Sequence, residues 1–354
     1  MIHIDVINQS DIAKLKHNNY SFLEWCDAHN IDYTQSDSPD WAVMHVIFGS
    51  YLMHHRTVQT KAKNLLVWYP AECEHYHSTS VEDQIMQLEN IDQFTNIVLV
   101  TGNLKPTGTR ITKIPLLFFD WQLMSYLGQD EDLITEHHYN WNKSKDYMCL
   151  NGKDKVSRRH VLDQLQATNL IDHGHVSYVC YDGIDQSLGM IDPVILDQTR
   201  NNILVDDRWM NIKVYNDAWI NVVTEAFPFV EQDLFITEKT FKPMLQLQPF
   251  MIQGNRHTLA RLRDYGYHTF SSLWDESYDD LPQWQDRTDA MLEQLKLWCD
   301  KPQHVKQESI RSVWSSLLHN QKMVHDSVCD TRSNAVLEIL RGVQATTHTK
   351  VYKI

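Results

Sequence analysis

The feature that most constrains the fold of this chain is an alternation of strand-like and helix-like segments along most of its 354 residues. Short apolar runs such as Ile2–Ile7 and Leu65–Tyr69 are typical of buried strands, and Val81–Glu89 has its apolar residues at helical spacing. Because neighbouring parallel strands need a crossover that is usually a helix, this alternation predicts parallel sheets covered by helices. We therefore expect an α/β protein.

The alternation falls into two halves, separated by the polar stretch 130–146. In the first half the further expected strands are Trp41–Phe48, Asn96–Thr101 and Pro115–Phe119. In the second half they are Tyr147–Asn151, Val176–Tyr181, Trp219–Thr224 and Phe250–Gln253. Ser157 is expected to cap a helix, and Gly266 to end one. Helical patterns, including Val305–Leu318, dominate after Leu281. We expect domains at 1–140 and 141–285, followed by a helical tail at 286–354.

Composition excludes several classes of protein. The net charge of −14 opposes wholesale binding of nucleic acid, although a local basic groove would still permit it. No apolar run reaches the ~18–20 residues that span a bilayer, and the N-terminus resembles a first strand and not a signal peptide. Six scattered cysteines without a Cys-x-x-Cys pair fit a reducing cytoplasm. The nineteen histidines show no metal-ligand spacing, so we expect no metal site.

One segment of the second half concentrates charge beside a predicted strand. Phe235–Pro243 contains Thr237, Glu238, Lys239 and Lys242, and a strand ending at Gly254 follows. A helix N-terminus favours anions, and a carboxylate beside two lysines suits a ligand with both phosphates and hydroxyls. The same pattern also describes an ordinary helix start, with either Thr237 or Thr240 as its N-cap. Because Pro243 is tolerated best in a first helical turn, a cap at Thr240 would leave Thr237–Lys239 as a loop.

This segment resembles the donor-binding segment of fucosyltransferase-like and exostosin-like glycosyltransferases of phage or bacterial type. The resemblance covers roughly residues 145–290 and is strongest at 219–254. It implies the GT-B architecture, which has two Rossmann-like domains, a helical C-terminal tail and a nucleotide-sugar held in the cleft between the domains.

The resemblance also implies a set of donor-binding residues. An arginine near the start of the first helix in the second domain contacts the donor diphosphate in these enzymes, and either Arg158 or Arg159 matches its position. Glu225, at the end of a predicted strand, and Glu238 are candidates for sugar or ribose hydroxyls. The full expected set is Arg158, Arg159, Glu225, Thr237, Glu238, Lys239 and Lys242, with Lys153 and Lys155 as further cations.

Sugar transfer to a hydroxyl also needs a base in an inverting enzyme. The resemblance implies that the N-terminal domain supplies it. Glu72, Glu74 and His75 follow the predicted strand Leu65–Tyr69 and are the leading candidates, and Asp120 comes next.

These observations predict a glycosyltransferase with a nucleotide-sugar as donor substrate and no other cofactor, in the cytoplasm of a bacterial or infected host cell. Two alternatives stay open: a viral enzyme that glycosylates modified DNA bases, and a sugar-nucleotide or glycan-binding module without catalysis. The absence of a Gly-rich phosphate loop argues against a P-loop enzyme or a dinucleotide dehydrogenase. The sequence leaves open the sugar, the nucleotide, the acceptor, the stereochemical outcome and the oligomeric state.

Overall fold

The computed structural model describes residues 1–7, 21–28, 30–46, 57–70, 80–105, 110–119, 133–151, 155–178, 210, 212–329 and 334–341. The chain forms two compact units. The first comprises Met1–Tyr126, Gln232–Phe235 and Asp326–Ile354, and the second comprises Leu127–Glu231 and Ile236–His325. Each unit contains a parallel sheet with helices, so the predicted α/β class is confirmed. The strands of the first sheet end at Pro115, and those of the second begin at Lys145.

The first unit is built on a six-stranded parallel sheet in the order β2-β1-β3-β4-β5-β6. Its strands are β1 (Ile2–Ile7), β2 (Tyr33–Gln35), β3 (Trp41–His45), β4 (Asn64–Tyr69), β5 (Asn96–Thr101) and β6 (Thr112–Pro115). Helices α1 (Phe22–Ala28) and α2 (Val81–Met86) connect strands of this sheet. Every residue of β3 is buried, as expected of a parallel strand with both faces covered.

The apolar run Pro115–Phe119 is not the strand that its composition predicted. Strand β6 ends at Pro115, and the two phenylalanines that follow belong to an aromatic cluster. The Phe118 ring packs edge-to-face on Trp68 at 6.4 Å between centroids, and Phe119 contacts Phe235 in the same way at 5.7 Å. The apolar character of this run therefore reflects core packing rather than strand pairing.

The second unit is built on a four-stranded parallel sheet in the order β10-β9-β7-β8. Its strands are β7 (Lys145–Asn151), β8 (Gly174–Tyr178), β9 (Ala218–Thr224) and β10 (Phe250–Gln253). The helices of this part of the chain are α3 (Val156–Ala167), α4 (Ile212–Asp217), α5 (Glu238–Leu245) and α6 (Thr258–Asp264). We call the ends of the strands at Asn151, Tyr178, Thr224 and Gln253 the carboxyl edge, and the opposite ends the amino edge.

A helical region follows, as predicted. It contains α7 (Trp284–Cys299), α8 (Gln303–Ser312), α9 (Trp314–His325) and α10 (Asn334–Leu340). Short 3₁₀ helices are found at Ile91–Gln93, Glu136–His138, Ile171–His173, Ser277–Asp280 and Asp326–Cys329. The helix predicted at Val305–Leu318 is two helices, because the chain turns at Val313. No helix within the described residues combines the length and apolarity that crossing a bilayer requires.

Two predicted helix ends can be compared with the structure. Gly266 follows α6 with φ of +88°, a backbone conformation that glycine adopts without strain, so this stop signal is confirmed. Ser157 is not the N-cap of α3, because the helix begins at Val156 with Lys155 as its cap, and Ser157 is buried in the first turn. The cap prediction relied on residue type, whereas the structure uses the serine as a small residue in the core.

Candidate functional site

The candidate site is organised by Glu225, the residue that directly follows β9 and is fully buried. Its carboxylate accepts three hydrogen bonds: from the Thr237 backbone N–H at 3.0 Å, the Thr237 hydroxyl at 2.7 Å and the Thr240 hydroxyl at 2.7 Å. Hydrogen bonds to a charged acceptor are the stronger ones in proteins. Glu225 therefore anchors the first turn of α5 at the carboxyl edge.

Thr237, rather than Thr240, is the N-cap of α5, and its Oγ accepts from the Lys239 backbone N–H. Of the two caps that the sequence left open, the structure has Thr237, so Thr237–Lys239 starts the helix and is not a loop before it. The helix can start this early because it accommodates Pro243 in its interior.

Glu238 and Lys239 form an ion pair at the start of α5. Glu238 is 5% exposed, and the Lys239 ammonium contacts its carboxylate and lies 3.2 Å from the Thr237 hydroxyl. Burial acts to raise the pKa of Glu238, but Lys239 and Lys242 outweigh it, so this pKa lies below its usual value. The carboxylate is thus held ionised, and the Lys239 side chain keeps 30% of its surface exposed.

The structure distinguishes between the two arginines that the sequence left equivalent. Arg158 is 3% exposed, with Nη2 at 3.5 Å from the Thr224 carbonyl oxygen. Burial lowers the pKa of Arg158, while the charges of Glu225 and Glu238 act to raise it, which places this guanidinium within their electrostatic reach. Arg159 is exposed, with its guanidinium 5.2 Å from the Tyr178 ring centre. The Arg158 guanidinium therefore lies near Glu225 and Glu238, whereas that of Arg159 lies beside Tyr178.

Amide side chains join the strand ends and helices around this site. The Thr224 hydroxyl donates to the Asn151 amide oxygen, which links the ends of β9 and β7. Gln253, at the end of β10, donates to the Ser157 carbonyl oxygen at 3.0 Å and to the Thr288 hydroxyl at 2.9 Å. These buried hydrogen bonds link the ends of three strands to two helices. They therefore hold in place the elements that carry the charged side chains of the site.

The loop after Glu225 is held by residues that the sequence analysis missed. Arg287, buried in α7, donates to four carbonyl oxygens, those of Pro228, Gly254, Leu281 and Pro282. Asn255 donates to the carbonyls of Phe227 and Val230. Backbone carbonyls have no signature in a sequence, so no pattern could have identified these contacts.

The acidic 3₁₀ segment Ser277–Asp280 stabilises the elements near this edge. The Asp279 carboxylate accepts from the backbone N–H groups of Leu259 and Ala260 in the first turn of α6. The Tyr278 hydroxyl accepts from the Ile252 N–H of β10 at 3.3 Å. Both side chains accept hydrogen bonds from backbone N–H groups of the protein, so Asp279 stabilises the start of α6 and Tyr278 stabilises β10.

A second cluster, at the amino edge, contains side-chain types that bind metals. Ligand atoms of Asp146, His173 and Cys299 lie within 4.8 Å of one another. The buried Lys306 ammonium, however, binds the Asp146 carboxylate and lies 2.9 Å from the Cys299 carbonyl oxygen. Burial raises the pKa of the Cys299 thiol to about 12, which disfavours the thiolate that a metal needs. A lysine therefore takes the cationic position in this cluster.

The amino edge also borders a cavity of about 410 Å³, lined by Asn140, His175, Lys213, Val214, Asn216 and Asp217. Much of its polar lining is engaged by the protein itself. The Asn216 amide accepts from the Asn140 N–H and donates to the His138 carbonyl oxygen. These contacts tie the loop before β7 to the end of α4.

Of the predicted donor-binding residues, the structure brings six together at the carboxyl edge: Arg158, Glu225, Thr237, Glu238, Lys239 and Lys242. The predicted bases Glu72, Glu74 and His75 lie outside the described residues, as do Asp120 and Lys153. The position of Lys155 is described, and its ammonium donates to the Ala226 carbonyl oxygen at 3.1 Å.

Comparisons with known proteins add the following. No family model matches the chain, and no curated protein matches it. Among solved structures, an α1,3-fucosyltransferase has 10% identity over 92% of both chains with a TM-score of 0.40, and a structure of α1,3-fucosyltransferase with GDP has 11% identity, the same coverage and the same score. The spinosyn rhamnosyltransferase SpnG has 9% identity over 94% of this chain and 78% of its own, with a TM-score of 0.37. Likeness at this level carries no argument about function.

Proposed function

We propose that this protein is a glycosyltransferase of the GT-B type that binds a nucleotide-sugar at the carboxyl edge of its second sheet. The observation that carries the proposal is the arrangement of Arg158 and Lys239 around the anchored turn of α5. Two cations from different elements share one electrostatic environment with Glu225 and Glu238 there. In open α/β sheets, ligands bind outside the carboxyl ends of the strands.

Each charged group has a role in this proposal. Arg158 and Lys239 bind the diphosphate, with Lys242 adding positive charge and the α5 N-terminus contributing its partial positive charge. Glu238, held ionised, accepts hydrogen bonds from ribose or sugar hydroxyls. Glu225 has its carboxylate committed to Thr237 and Thr240, so its contribution is to position the turn rather than to contact the donor.

The proposal for the acceptor half of the reaction rests on sequence alone. Glu72, Glu74 and His75 are the proposed bases for the acceptor hydroxyl, and loss of such a base costs about 10²–10⁴-fold in rate. A cytoplasmic location and a hexosyl or pentosyl donor are part of the same proposal. Variants Glu72→Gln, Glu74→Gln and His75→Ala test it: one of them should lose turnover while keeping donor affinity.

Donor binding is tested first with the unmodified protein. A thermal-shift panel of GDP-, UDP-, CMP- and dTDP-sugars identifies the nucleotide, and release of free sugar from the best donor reports turnover without a known acceptor. Stabilisation without any turnover, in the presence of candidate acceptors that include modified DNA, would indicate a binding module. Transfer to DNA would indicate the nucleic-acid alternative.

Lys239→Ala should weaken binding of the donor nucleotide about tenfold or more, because a charge-assisted contact contributes roughly 1.5–3 kcal/mol. Since this change also removes the partner of Glu238, Lys239→Gln is measured beside it to retain a donor for that carboxylate. Lys296→Ala, an exposed lysine on α7, is the control and should bind normally. Equal affinity in all four proteins, measured by calorimetry on folded protein, would refute the assignment of Lys239.

A further inference from the structure

Large apolar side chains are rarely exposed in the described part of the chain. Four are: Met1 at 82%, Val156 at 73%, Leu297 at 59% and Phe229 at 40%. Two of these four, Val156 and Phe229, lie on the segments that follow β7 and β9 at the carboxyl edge. Single exposed apolar residues are normal on protein surfaces. Two of them beside one proposed ligand site are not scattered singly.

Phe229 lies in a tight turn that the protein holds rigidly. The Val230 N–H donates to the Phe227 carbonyl oxygen at 3.2 Å, which closes the turn. Asn255 binds the carbonyls on both sides, and the buried Arg287 donates to the Pro228 carbonyl oxygen at 2.8 Å. Four intramolecular hydrogen bonds fix a four-residue turn, so the exposed ring at its third position has little backbone freedom to lose when a ligand binds.

The ring is also supported from the side. Phe227 packs edge-to-face against Phe229, with centroids 6.2 Å apart and an interplanar angle of 88°. The Lys155 ammonium lies 3.7 Å from the centre of the Phe227 ring and donates to the Ala226 carbonyl oxygen. Lys155 therefore ties the start of α3, where Val156 is exposed, to the base of the turn that carries Phe229.

We infer that Phe229 is the surface on which the nucleobase of the donor stacks, with Val156 as its apolar neighbour. This inference rests on the proposed function. Phe229 is four residues after Glu225, so their Cα atoms are at most about 14 Å apart and both belong to the edge where the diphosphate is proposed to bind. Every nucleobase presents a π-face to an aromatic ring, and such stacking tolerates differences between bases. A half-exposed phenylalanine in a turn held by four hydrogen bonds offers that chemistry.

The test compares a nucleoside diphosphate with inorganic pyrophosphate as probes. Calorimetry measures GDP and UDP binding, and competition against the tighter of the two measures pyrophosphate binding. Phe229→Ala should weaken nucleoside diphosphate binding about tenfold, with pyrophosphate affinity unchanged, because only the base is affected. Phe229→Tyr should restore binding, since it keeps the ring. Leu297→Ala removes a more exposed apolar side chain elsewhere and serves as the matched control.

The outcomes distinguish this inference from the proposal on which it rests. If no nucleotide of the donor panel, GDP and UDP included, binds the unmodified protein, both are overturned. If the nucleotide binds and Lys239→Ala weakens it while Phe229→Ala does not, only the stacking role of Phe229 is overturned. Equal losses of nucleotide and pyrophosphate in Phe229→Ala would also overturn it, because they would report a disturbed turn rather than a lost stack.

Discussion

The two edges of the second sheet use similar charged residues for different purposes. At the amino edge, the Asp146 carboxylate is matched by Lys306 and contacts His173, while Asp217 accepts from Ser144 and contacts His175. At the carboxyl edge, Glu225 binds hydroxyls and a backbone N–H. Arg158 lies nearby, within electrostatic reach of the Glu225 and Glu238 carboxylates.

The difference shows what a carboxylate does when its partner is not a cation. The Lys306 ammonium compensates the charge of the Asp146 carboxylate, and this ion pair links α8 to β7. Hydrogen-bonded to two threonines, Glu225 instead positions the first turn of α5. Both edges contain acidic and basic residues. Only their hydrogen-bond partners distinguish the structural ion pair at the amino edge from the candidate binding site at the carboxyl edge.

The largest expected effect is that of Glu225→Ala. This change removes the shared acceptor of Thr237 and Thr240, leaving three buried donors unsatisfied, and we expect a loss of about 3–5 kcal/mol in the free energy of unfolding together with loss of nucleotide binding. Urea unfolding and calorimetry measure the two quantities. Glu231→Ala, in the same loop but exposed, should change neither. Lost binding with full stability would make Glu225 a direct ligand contact and break the comparison.

Lys306→Met should have the next largest effect, about 3 kcal/mol of stability, because it leaves the Asp146 carboxylate buried without its main partner. Nucleotide affinity should stay as in the unmodified protein, since the change is confined to the amino edge. The double variant Asp146→Leu/Lys306→Met should recover part of the lost stability, because an apolar pair has no charge to compensate. Weakened nucleotide binding in a folded Lys306→Met protein would show that the edges are not independent.

The smallest expected effect concerns acid sensitivity. Burial acts to raise the pKa of Asp217, but hydrogen bonds from Ser144 and the contact with His175 outweigh it, so this pKa is below its usual value. A depressed folded-state pKa stabilises the fold above the unfolded value, about 3.9, and this contribution disappears as pH falls through the folded value. Asp217→Asn should therefore be less stable at pH 6, by less than about 1 kcal/mol given its partial exposure.

The control for this experiment is the same pair of proteins at pH 3. The difference in urea midpoint between Asp217→Asn and the unmodified protein should shrink there, because pH 3 lies below the unfolded-state pKa of about 3.9 and the stabilisation is lost as pH falls toward the lowered folded-state pKa. A difference that stays constant with pH would mean that the side chain acts through neutral hydrogen bonds alone.

Much of the fold could be predicted from the sequence because the signals are local. Strands β3, β4 and β5 and those of the second sheet follow from short apolar runs, and the Gly266 stop follows from a backbone requirement of one residue. The placement of Thr237–Lys239 at a helix start beside a strand end was equally local. The run Pro115–Phe119 was misassigned because apolarity reports burial and does not report what kind of element is buried.

Only the tertiary structure decided how the charges are used. Adjacent arginines look alike in a sequence, but the orientation of α3 buries Arg158 and exposes Arg159. Glu225 reaches Thr240 across fifteen residues, and Arg287 reaches Pro228 across fifty-nine. The sequence determined that a carboxylate, two threonines and several cations would come near one sheet edge. Which of them bond to one another depends on distances set by packing between segments remote in the chain, and local sequence patterns carry no record of those distances.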